Sequence, residues 1–315
     1  MRRGFAASDA APIYGALALV AAISWGAIVL AGGQINLANT LVRSVALGLV
    51  AVGQTFVILG GSLDLSVAYQ VSVTAVMASY IMQGDPNRMW LGVIAVLLIG
   101  LAIGCANGLI VTGLRVDPFI ATLGSGLILR GILNASFDNF AGAVPKEFQV
   151  LGYGALGPLP YAVLLLGVVA AAAWALLRFT RFGHHLYAVG GSQETARLSG
   201  VRSARVLIGA HMLCSLGAVL TGLFLVSRLG AGAPWVGPDG NYDLESIAAV
   251  VLGGTPLVGG RGGVLGTVAG VLILALLDNL FNQLAVNTFL KEVLRGVIIV
   301  AAVAIYTVRS VRSPR

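Results

Sequence analysis

The stretch RFGHHLYAVGGSQETARLSGVRSAR, residues 181–205, lies between two long apolar segments of the chain and is rich in arginine. Positive charge concentrated between apolar segments is typical of a loop on the cytoplasmic face of a membrane. The pair Gly190-Gly191 interrupts the stretch and predicts a break in any regular structure there. The loop therefore orients the apolar segments on either side of it.

The centre of this stretch carries the start and stop signals of a short helix, which we predict at residues 193–199. Ser192 is a good N-cap, and the carboxylate of Glu194 is favourable beside the positive end of the helix dipole. Gly200 can end the helix at positive φ. A short capped helix in a loop outside the membrane is more typical of a docking element than of a catalytic one.

Residues 188–201, AVGGSQETARLSGV, resemble the coupling loop of permeases in ribose-type ABC sugar importers, whose pattern is A-x-G-x-N-x-E-A-A-x-x-S-G-I/V. Ser192 stands where that family has Asn, and Thr195 where it has Ala; both are compatible with a capped helix. The resemblance implies that the helix binds a groove on a partner ATPase, and we expect Ala196 and Gly200 to form the small surface that the partner approaches. The implied coupling residues are Gly190, Gly191, Ser192, Glu194, Ala196, Arg197, Ser199 and Gly200.

The composition is that of a membrane protein. Of 315 residues, 58% are hydrophobic and only 10% are charged, and the mean hydropathy is +0.94; soluble globular domains do not approach these values. The net charge of +7 comes from basic residues at the ends of apolar segments, not from a basic stripe interleaved with aromatics. Nucleic-acid binding is therefore not expected.

The apolar segments predict an all-α, polytopic membrane protein with about ten helices, several of them short or broken, in one transmembrane permease domain that covers residues 1–315. The predicted segments are residues 13–31, 41–59, 67–82, 89–114, 119–133, 160–177, 206–227, 244–258, 263–284 and 289–308.

The distribution of lysine and arginine predicts the orientation of these helices. More of the 19 basic residues fall on the side of the 181–205 loop than on the other side, and such an excess marks the cytoplasmic side. With an even number of helices, both termini are expected in the cytoplasm, and the protein in the cell inner membrane. The longest predicted outside loop is residues 134–159.

Glycines at four-residue spacing occur in the fourth and the ninth predicted helices. The two sets are Gly100, Gly104 and Gly108, and Gly262, Gly266 and Gly270. Because those helices run in opposite directions, helices 2–5 and 7–10 are candidates for an inverted repeat. Small residues four apart also allow close helix packing without any repeat.

A second motif, GGSLDLSV at residues 60–67, interrupts an apolar segment. It resembles the sugar-permease signature T-G-G-I-D-L-S-V-G. Backbone freed in such a break must be satisfied inside the protein, and a buried carboxylate in a membrane is usually paired or functional. Asp64 and Ser66 either cap the half-helix that follows or contact substrate. The candidates for the translocation pathway or for support of the broken helix are Asp64, Ser66, Thr122, Glu245 and Asn279.

The third motif, LESIAAVVLGGTPLVGGRG at residues 244–262, carries five glycines and a proline and predicts a short helix followed by a turn-rich re-entry. It resembles the family pattern E-L-x-x-I-A-A-V-x-x-G-G-T-x-x-x-G-G-R-G, and the resemblance covers residues 35–305. Arg261 either contacts the ATPase or anchors the inner interface. The predicted inner-face glycine turn comprises Gly253, Gly254, Gly259, Gly260 and Arg261.

The sequence has no glycine-rich loop followed by lysine, so the chain is not expected to hydrolyse ATP itself or to hold a cofactor or metal. The resemblance implies an ATPase with two cassettes that binds the ATP, a second permease copy or a paralogue, a soluble sugar-binding protein and a lipid membrane as partners. A secondary transporter with Asp64 and Asp278 as an ion relay is the alternative. An intramembrane serine protease using Ser125 and His211 is a remote third hypothesis.

Overall fold

The computed structural model describes residues 14–22, 25–26, 37–287, 289–291, 293–294 and 296–297. Residues 14–22 are helical, and the elements that follow are numbered from residue 37 onward. The helices are α1 Leu37–Leu59, α2 Val67–Met82, α3 Met89–Gly113, α4 Pro118–Ser136, α5 Lys146–Tyr153, α6 Tyr161–Phe179, α7 Arg181–Gly191, α8 Gln193–Leu198, α9 Ser203–Leu229, α10 Val236–Asp239, α11 Tyr242–Leu252 and α12 Val264–Gln283. A two-stranded antiparallel hairpin, β1 Ala155–Leu156 and β2 Leu159–Pro160, pairs Ala155 with Pro160.

Six helices in the described part of the chain are long and apolar enough to cross a membrane: α1, α3 with the turn before it, α4, α6, α9 and α12. Helix α2, with 16 residues, is apolar but shorter. The chain is thus a multi-pass helical membrane protein. Parts of the first predicted segment and most of the tenth lie outside the described residues, so the count of ten helices, the inverted repeat and the single-domain assignment stay predictions.

Helices α1 and α9 form the centre of the bundle. Helix α9 packs mainly against α3, α1 and α2, and α1 also packs against α12, α11 and α6. The side chains of Val45, Leu49 and Val50 on α1 are buried, whereas α3, α4 and α6 expose large apolar side chains such as Trp90 and Ile128. Exposed apolar helix faces around a buried pair of helices suit a bundle surrounded by lipid.

The 27-residue helix α9 separates two ends of the molecule by about 40 Å. We call the end that holds residues 181–205 the basic end, and the end that holds the β-hairpin, residues 155–160, the hairpin end. Chain direction alternates between them: α1 ends at the basic end beside α7, and α2 ends at the hairpin end, where Gly84 N donates to Ala143 O.

Two predicted boundaries are wrong. The predicted segment 244–258 is helical only to Leu252, because the backbone turns at Gly253 and Gly254 and Pro256 follows. The predicted break at Gly190-Gly191 falls at Ser192 instead, because both glycines continue α7, a helix that the sequence did not predict. The short helix followed by a turn-rich segment, predicted from the third motif, is confirmed.

Candidate functional site

The three sequence motifs meet at the basic end, around the C-terminal end of α1. Gly260 N donates to Leu59 O at 2.9 Å. Gly190 faces the same carbonyl oxygen so closely that a Cβ atom there would overlap it. A Cβ at Gly259 would lie 2.7 Å from Gly61 N. The loop of the first motif, the break of the second and the turn of the third therefore form one contact region, which we call the inner joint.

Helix α8 has defined caps at both ends. Ser192 Oγ accepts from Thr195 N at 3.2 Å. At the other end, Val201 N donates to Ala196 O at 3.0 Å and Gly200 N donates to Arg197 O at 3.0 Å, the two bonds of a Schellman motif with Gly200 at φ +84. The predicted helix at 193–199 is confirmed to within one residue.

The face that α8 offers to a partner differs from the prediction. Ala196 is only 4% exposed and packs in an apolar cluster with Leu59, Leu186 and Val189, so the expectation that it forms a partner-facing surface is wrong. Leu198 is 78% exposed. Its signal in the sequence was a large apolar residue in a basic loop, and it was missed because a six-residue helix shows no periodicity.

The other predicted coupling residues fall in two groups. Gly190 faces α1 as described above. The second group is exposed on the surface of the basic end and comprises Gly191, Ser192, Glu194, Arg197, Ser199 and Gly200. Arg261, in the glycine turn, is exposed as well. Of that turn, Gly253 and Gly254 are buried beneath the surface. Gly253 lies against Gly266 of α12.

Tyr187 of α7 connects the loop to the glycine turn, a contact that the sequence did not reveal. Its hydroxyl donates to Gly262 O at 2.8 Å. Burial raises the pKa of Tyr187 above its usual 10.0, and the nearby charge of Arg178 opposes that shift. The hydroxyl therefore stays protonated, and able to donate, throughout the physiological pH range.

Asp64 lies fully buried in the break between α1 and α2. Its Oδ1 accepts from Ser66 N at 2.9 Å and from Ser66 Oγ at 2.5 Å. Its Oδ2 accepts from Asn107 Nδ2 at 3.2 Å and lies 3.4 Å from His211 Nδ1. Three helices, α2, α3 and α9, thus converge on one carboxylate. The geometry favours the capping alternative for Asp64, since no face of the side chain is open to solvent.

Further buried polar contacts surround this carboxylate. Thr122 Oγ1 of α4 accepts from Leu65 N at 3.0 Å, and Gln70 Nε2 donates to Ser66 Oγ at 2.7 Å. His211 Nε2 lies 3.1 Å from Ser62 Oγ. The structure therefore brings together the predicted residues Asp64, Ser66 and Thr122 and satisfies the freed backbone inside the protein.

Comparison with known proteins identifies the family to which this chain belongs. Residues 36–303, which contain all three motifs and helices α1 to α12, match the family described as branched-chain amino acid transport system / permease component. The chain belongs to this family. No solved structure matches it.

Among curated proteins, the permease is 38% identical to the ribose import permease protein RbsC of Escherichia coli (strain K12) over 279 residues, which cover 86% of this chain and 85% of that protein. It is 39% identical to RbsC of Bacillus subtilis (strain 168) over 278 residues, 85% of this chain and 84% of that protein. The galactose/methyl galactoside import permease protein MglC of E. coli (strain K12) is 33% identical over 298 residues, 88% of each chain.

The serine-protease hypothesis for this permease is wrong. Both ring nitrogens of His211 contact Ser62 and Asp64, and Ser125 Oγ donates to Thr122 O at 3.1 Å. The side chains of Ser62, His211 and Asp64 contact one another in that order in space, as the members of a catalytic triad do. They are buried among helices with no access for a substrate, however, so the arrangement supports the fold rather than nucleophilic catalysis.

The remaining predicted pathway residues lie on other elements of the permease. Glu245 is in the first turn of α11. Asn279 and Asp278 are in the last turns of α12, and Asp278 Oδ2 accepts from Asn282 Nδ2 at 3.2 Å. Helix α12 starts at the basic end, so Asp278 lies about 20 Å along it from Val264. In the described residues, no group of three or more His, Cys, Asp or Glu could hold a metal ion.

A second buried polar contact joins α12 to α1. Thr55 Oγ1 and Thr267 Oγ1 lie 2.8 Å apart, and each also contacts a carbonyl oxygen one turn earlier in its own helix. Neither threonine stands out in the sequence, because the two are separated by 212 residues and belong to no motif. This pair fixes the start of α12 against the centre of the bundle.

Proposed function

We propose that this chain is the permease subunit of an ABC importer that carries a monosaccharide, a pentose or hexose, across the cell inner membrane. The observation that carries the proposal is the likeness, over more than four fifths of both chains, to permeases named for ribose import. Relatives named for galactose import support a sugar as the substrate class and leave its identity open between these two types.

The basic end faces the cytoplasm in this proposal. Arg181, Arg197, Arg202 and Arg205 are exposed there, and an excess of basic residues marks the cytoplasmic side. Both chain termini then lie in the cytoplasm. The hairpin end faces outward, toward a soluble sugar-binding protein.

Helix α8 binds a groove on a separate ATPase. Leu198 supplies the apolar contact at the centre of the interface, and Glu194 and Arg197 supply charges at its rim. The chain is a transporter subunit and not an enzyme, because ATP is bound and hydrolysed on the ATPase, which brings two cassettes. Two cassettes fit two permease subunits, so a second copy of this chain or a paralogue completes the pore.

The inner joint gives the ATPase a point of action on the pore. When the ATPase moves α8, the motion reaches the end of α1, the break at residues 60–66 and the glycine turn before α12, because all of these are in contact at the inner joint. Asp64 holds the broken helix in place through Ser66 N and through contacts to α3 and α9. The permease therefore changes shape at the joint while the capped break is preserved.

Reconstitution in lipid vesicles tests the proposal. The chain is assembled with its genomic neighbour ATPase and sugar-binding protein, and uptake of radiolabelled ribose and galactose is measured. We expect uptake that needs ATP on the ATPase side and disappears when the phosphate-binding lysine of the ATPase is replaced by alanine. Sugar uptake by the permease alone, driven by a proton or sodium gradient, would instead identify a secondary transporter.

A further inference from the structure

Tyr187 lies between the surface proposed to bind the ATPase and the helix that the glycine turn leads into. It is one turn before Gly190 in α7, which is separated from α8 by Ser192 alone. Its acceptor, Gly262 O, is two residues before the first residue of α12. A side chain of α7 is thus hydrogen-bonded to the backbone just before the start of α12.

Apart from this hydrogen bond, the loop at residues 181–200 and the glycine turn at residues 253–263 meet through closely packed glycine backbone. Gly190 lies against Gly260 N and Leu59 O, and a Cβ at Gly260 would lie 2.8 Å from Gly191 N. Among the residues that the structure describes, the Tyr187 to Gly262 bond is the one hydrogen bond between residues 181–200 and residues 253–263. Close packing holds two backbones at a fixed distance, and a directional hydrogen bond in addition fixes their alignment, so that one segment cannot slide along the other without breaking it.

Beyond Gly262, the contact continues into the centre of the bundle. Val264 lies in the same apolar cluster as Leu59, Leu186 and Ala196. Thr267, one turn further on, contacts Thr55 of α1. Helix α8, α7, the glycine turn and the start of α12 therefore form a continuous chain of contacts from the surface of the basic end to the buried core.

We propose that Tyr187 is a positioning residue that couples ATPase movement to α12: its hydroxyl makes the glycine turn follow the docking helix when the ATPase moves it. The inference rests on the proposed function, because it requires that α8 bind the ATPase. It goes further by naming the bond that transmits the motion and by separating transmission from docking. Coupling is measured directly, as the sugar imported per ATP hydrolysed.

The chain contains a matched control for this bond. Tyr153 Oη donates to Arg228 O at 2.7 Å, at the hairpin end, over the same sequence separation of 75 residues. Tyr187→Phe and Tyr153→Phe each remove one hydroxyl and one tyrosine-to-carbonyl hydrogen bond while keeping the aromatic ring. Tyr153→Phe therefore controls for the loss of a tyrosine-to-carbonyl bond, and the unfolding midpoint of each variant shows how far that loss alters stability at its own site.

The experiment uses the full assembly of permease, ATPase and sugar-binding protein in vesicles. Sugar imported per ATP hydrolysed is measured for wild type and for both variants, together with the amount of ATPase that co-purifies and the thermal unfolding midpoint. Tyr187→Phe is expected to keep ATPase binding and to lower sugar imported per ATP about 2- to 10-fold, the change that loss of one typical hydrogen bond produces in an equilibrium. Tyr153→Phe is expected to match wild type in that ratio.

Three results would overturn the inference. If Tyr187→Phe keeps the wild-type ratio of sugar to ATP, the hydroxyl does not couple. If it loses the ATPase on purification, its role is in docking. If both variants lower the ratio equally, the effect is a general loss of stability. Failure of the proposed function is distinguishable, because it would appear in the wild-type assembly as the absence of ATP-driven uptake, and the inference would fall with it.

Discussion

Two tyrosines attach distant parts of this chain by the same bond, one at each end of the bundle, in opposite surroundings. At the basic end, Tyr187 is half-buried and holds a turn in which glycine backbones are in contact. At the hairpin end, Tyr153 is 65% exposed and holds Arg228, whose guanidinium lies 5.4 Å from the centre of its ring. The bond at the basic end locks a buried joint, whereas the bond at the hairpin end fastens a surface helix.

The contrast teaches that the two ends respond differently to the same change. Backbone atoms in the inner joint are packed against each other and cannot yield to an added group. Side chains at the hairpin end face solvent and can rearrange. Paired substitutions, one at each end, therefore separate the contribution of the bond itself to stability from the contribution of its surroundings.

The largest difference is expected between Asp64 and Asp85. Each carboxylate accepts the backbone N–H two residues ahead at 2.9 Å, but Asp64 is buried and Asp85 lies at the hairpin end in an exposed ion pair with Arg88 at 3.6 Å. Asp64→Leu leaves several buried donors without an acceptor and should destabilise the fold by roughly 3–5 kcal/mol. Asp85→Leu should cost about 1 kcal/mol. Thermal unfolding in detergent measures both, and equal shifts would contradict this view of the break.

Asp64→Asn sharpens the same comparison. The remaining side-chain oxygen can still accept from Ser66 N, so the cap survives. The new NH2 group, however, takes the place of Oδ2 and faces Asn107 Nδ2, another donor. We expect an intermediate loss of about 1–3 kcal/mol, with assembly and part of the transport retained. Loss of substrate recognition with normal thermal stability would show that Asp64 contacts the sugar instead.

Two adjacent glycines test the packing of the inner joint. A Cβ at Gly190 would overlap Leu59 O and lie 2.5 Å from Gly260 N, whereas a Cβ at Gly191 would meet nothing within 4 Å. Gly190→Ala should therefore destabilise the permease by about 1–3 kcal/mol and lower its yield, because backbone atoms must move apart. Gly191→Ala should stay near wild type. If the two variants unfold at the same temperature, the joint is looser than described.

The parts of this permease that sequence reasoning predicted are those with local signals. Ser192 and Gly200 mark the ends of α8 because capping depends on neighbouring residues. The contact of His211 with Asp64 spans 147 residues and leaves no trace in either local sequence. The burial of Ala196 likewise depends on α1, which lies far from it in the sequence and contributes Leu59 to the same apolar cluster. Helix caps and turns could thus be read from the sequence, while the direction in which each side chain faces could not.

Surface substitutions complete the comparison with the smallest expected effect on stability. Leu198 is 78% and Leu156 64% exposed, at the basic and hairpin ends respectively. Leu198→Asp and Leu156→Asp should each change the free energy of unfolding by less than about 0.5 kcal/mol. Only Leu198→Asp should weaken ATPase binding, by about tenfold or more in affinity, because it places a charge in an apolar contact. Co-purification across a range of ATPase concentrations measures the difference.

Cross-linking at these two positions tests most directly which end of the permease binds the ATPase. A photoreactive benzoylphenylalanine is placed at residue 198 in one sample and at residue 156 in another, and each is irradiated in the assembled transporter. We expect a covalent product with the ATPase from residue 198 and none from residue 156. A product from residue 156 alone would contradict it, since the hairpin end would then be the end that meets the ATPase.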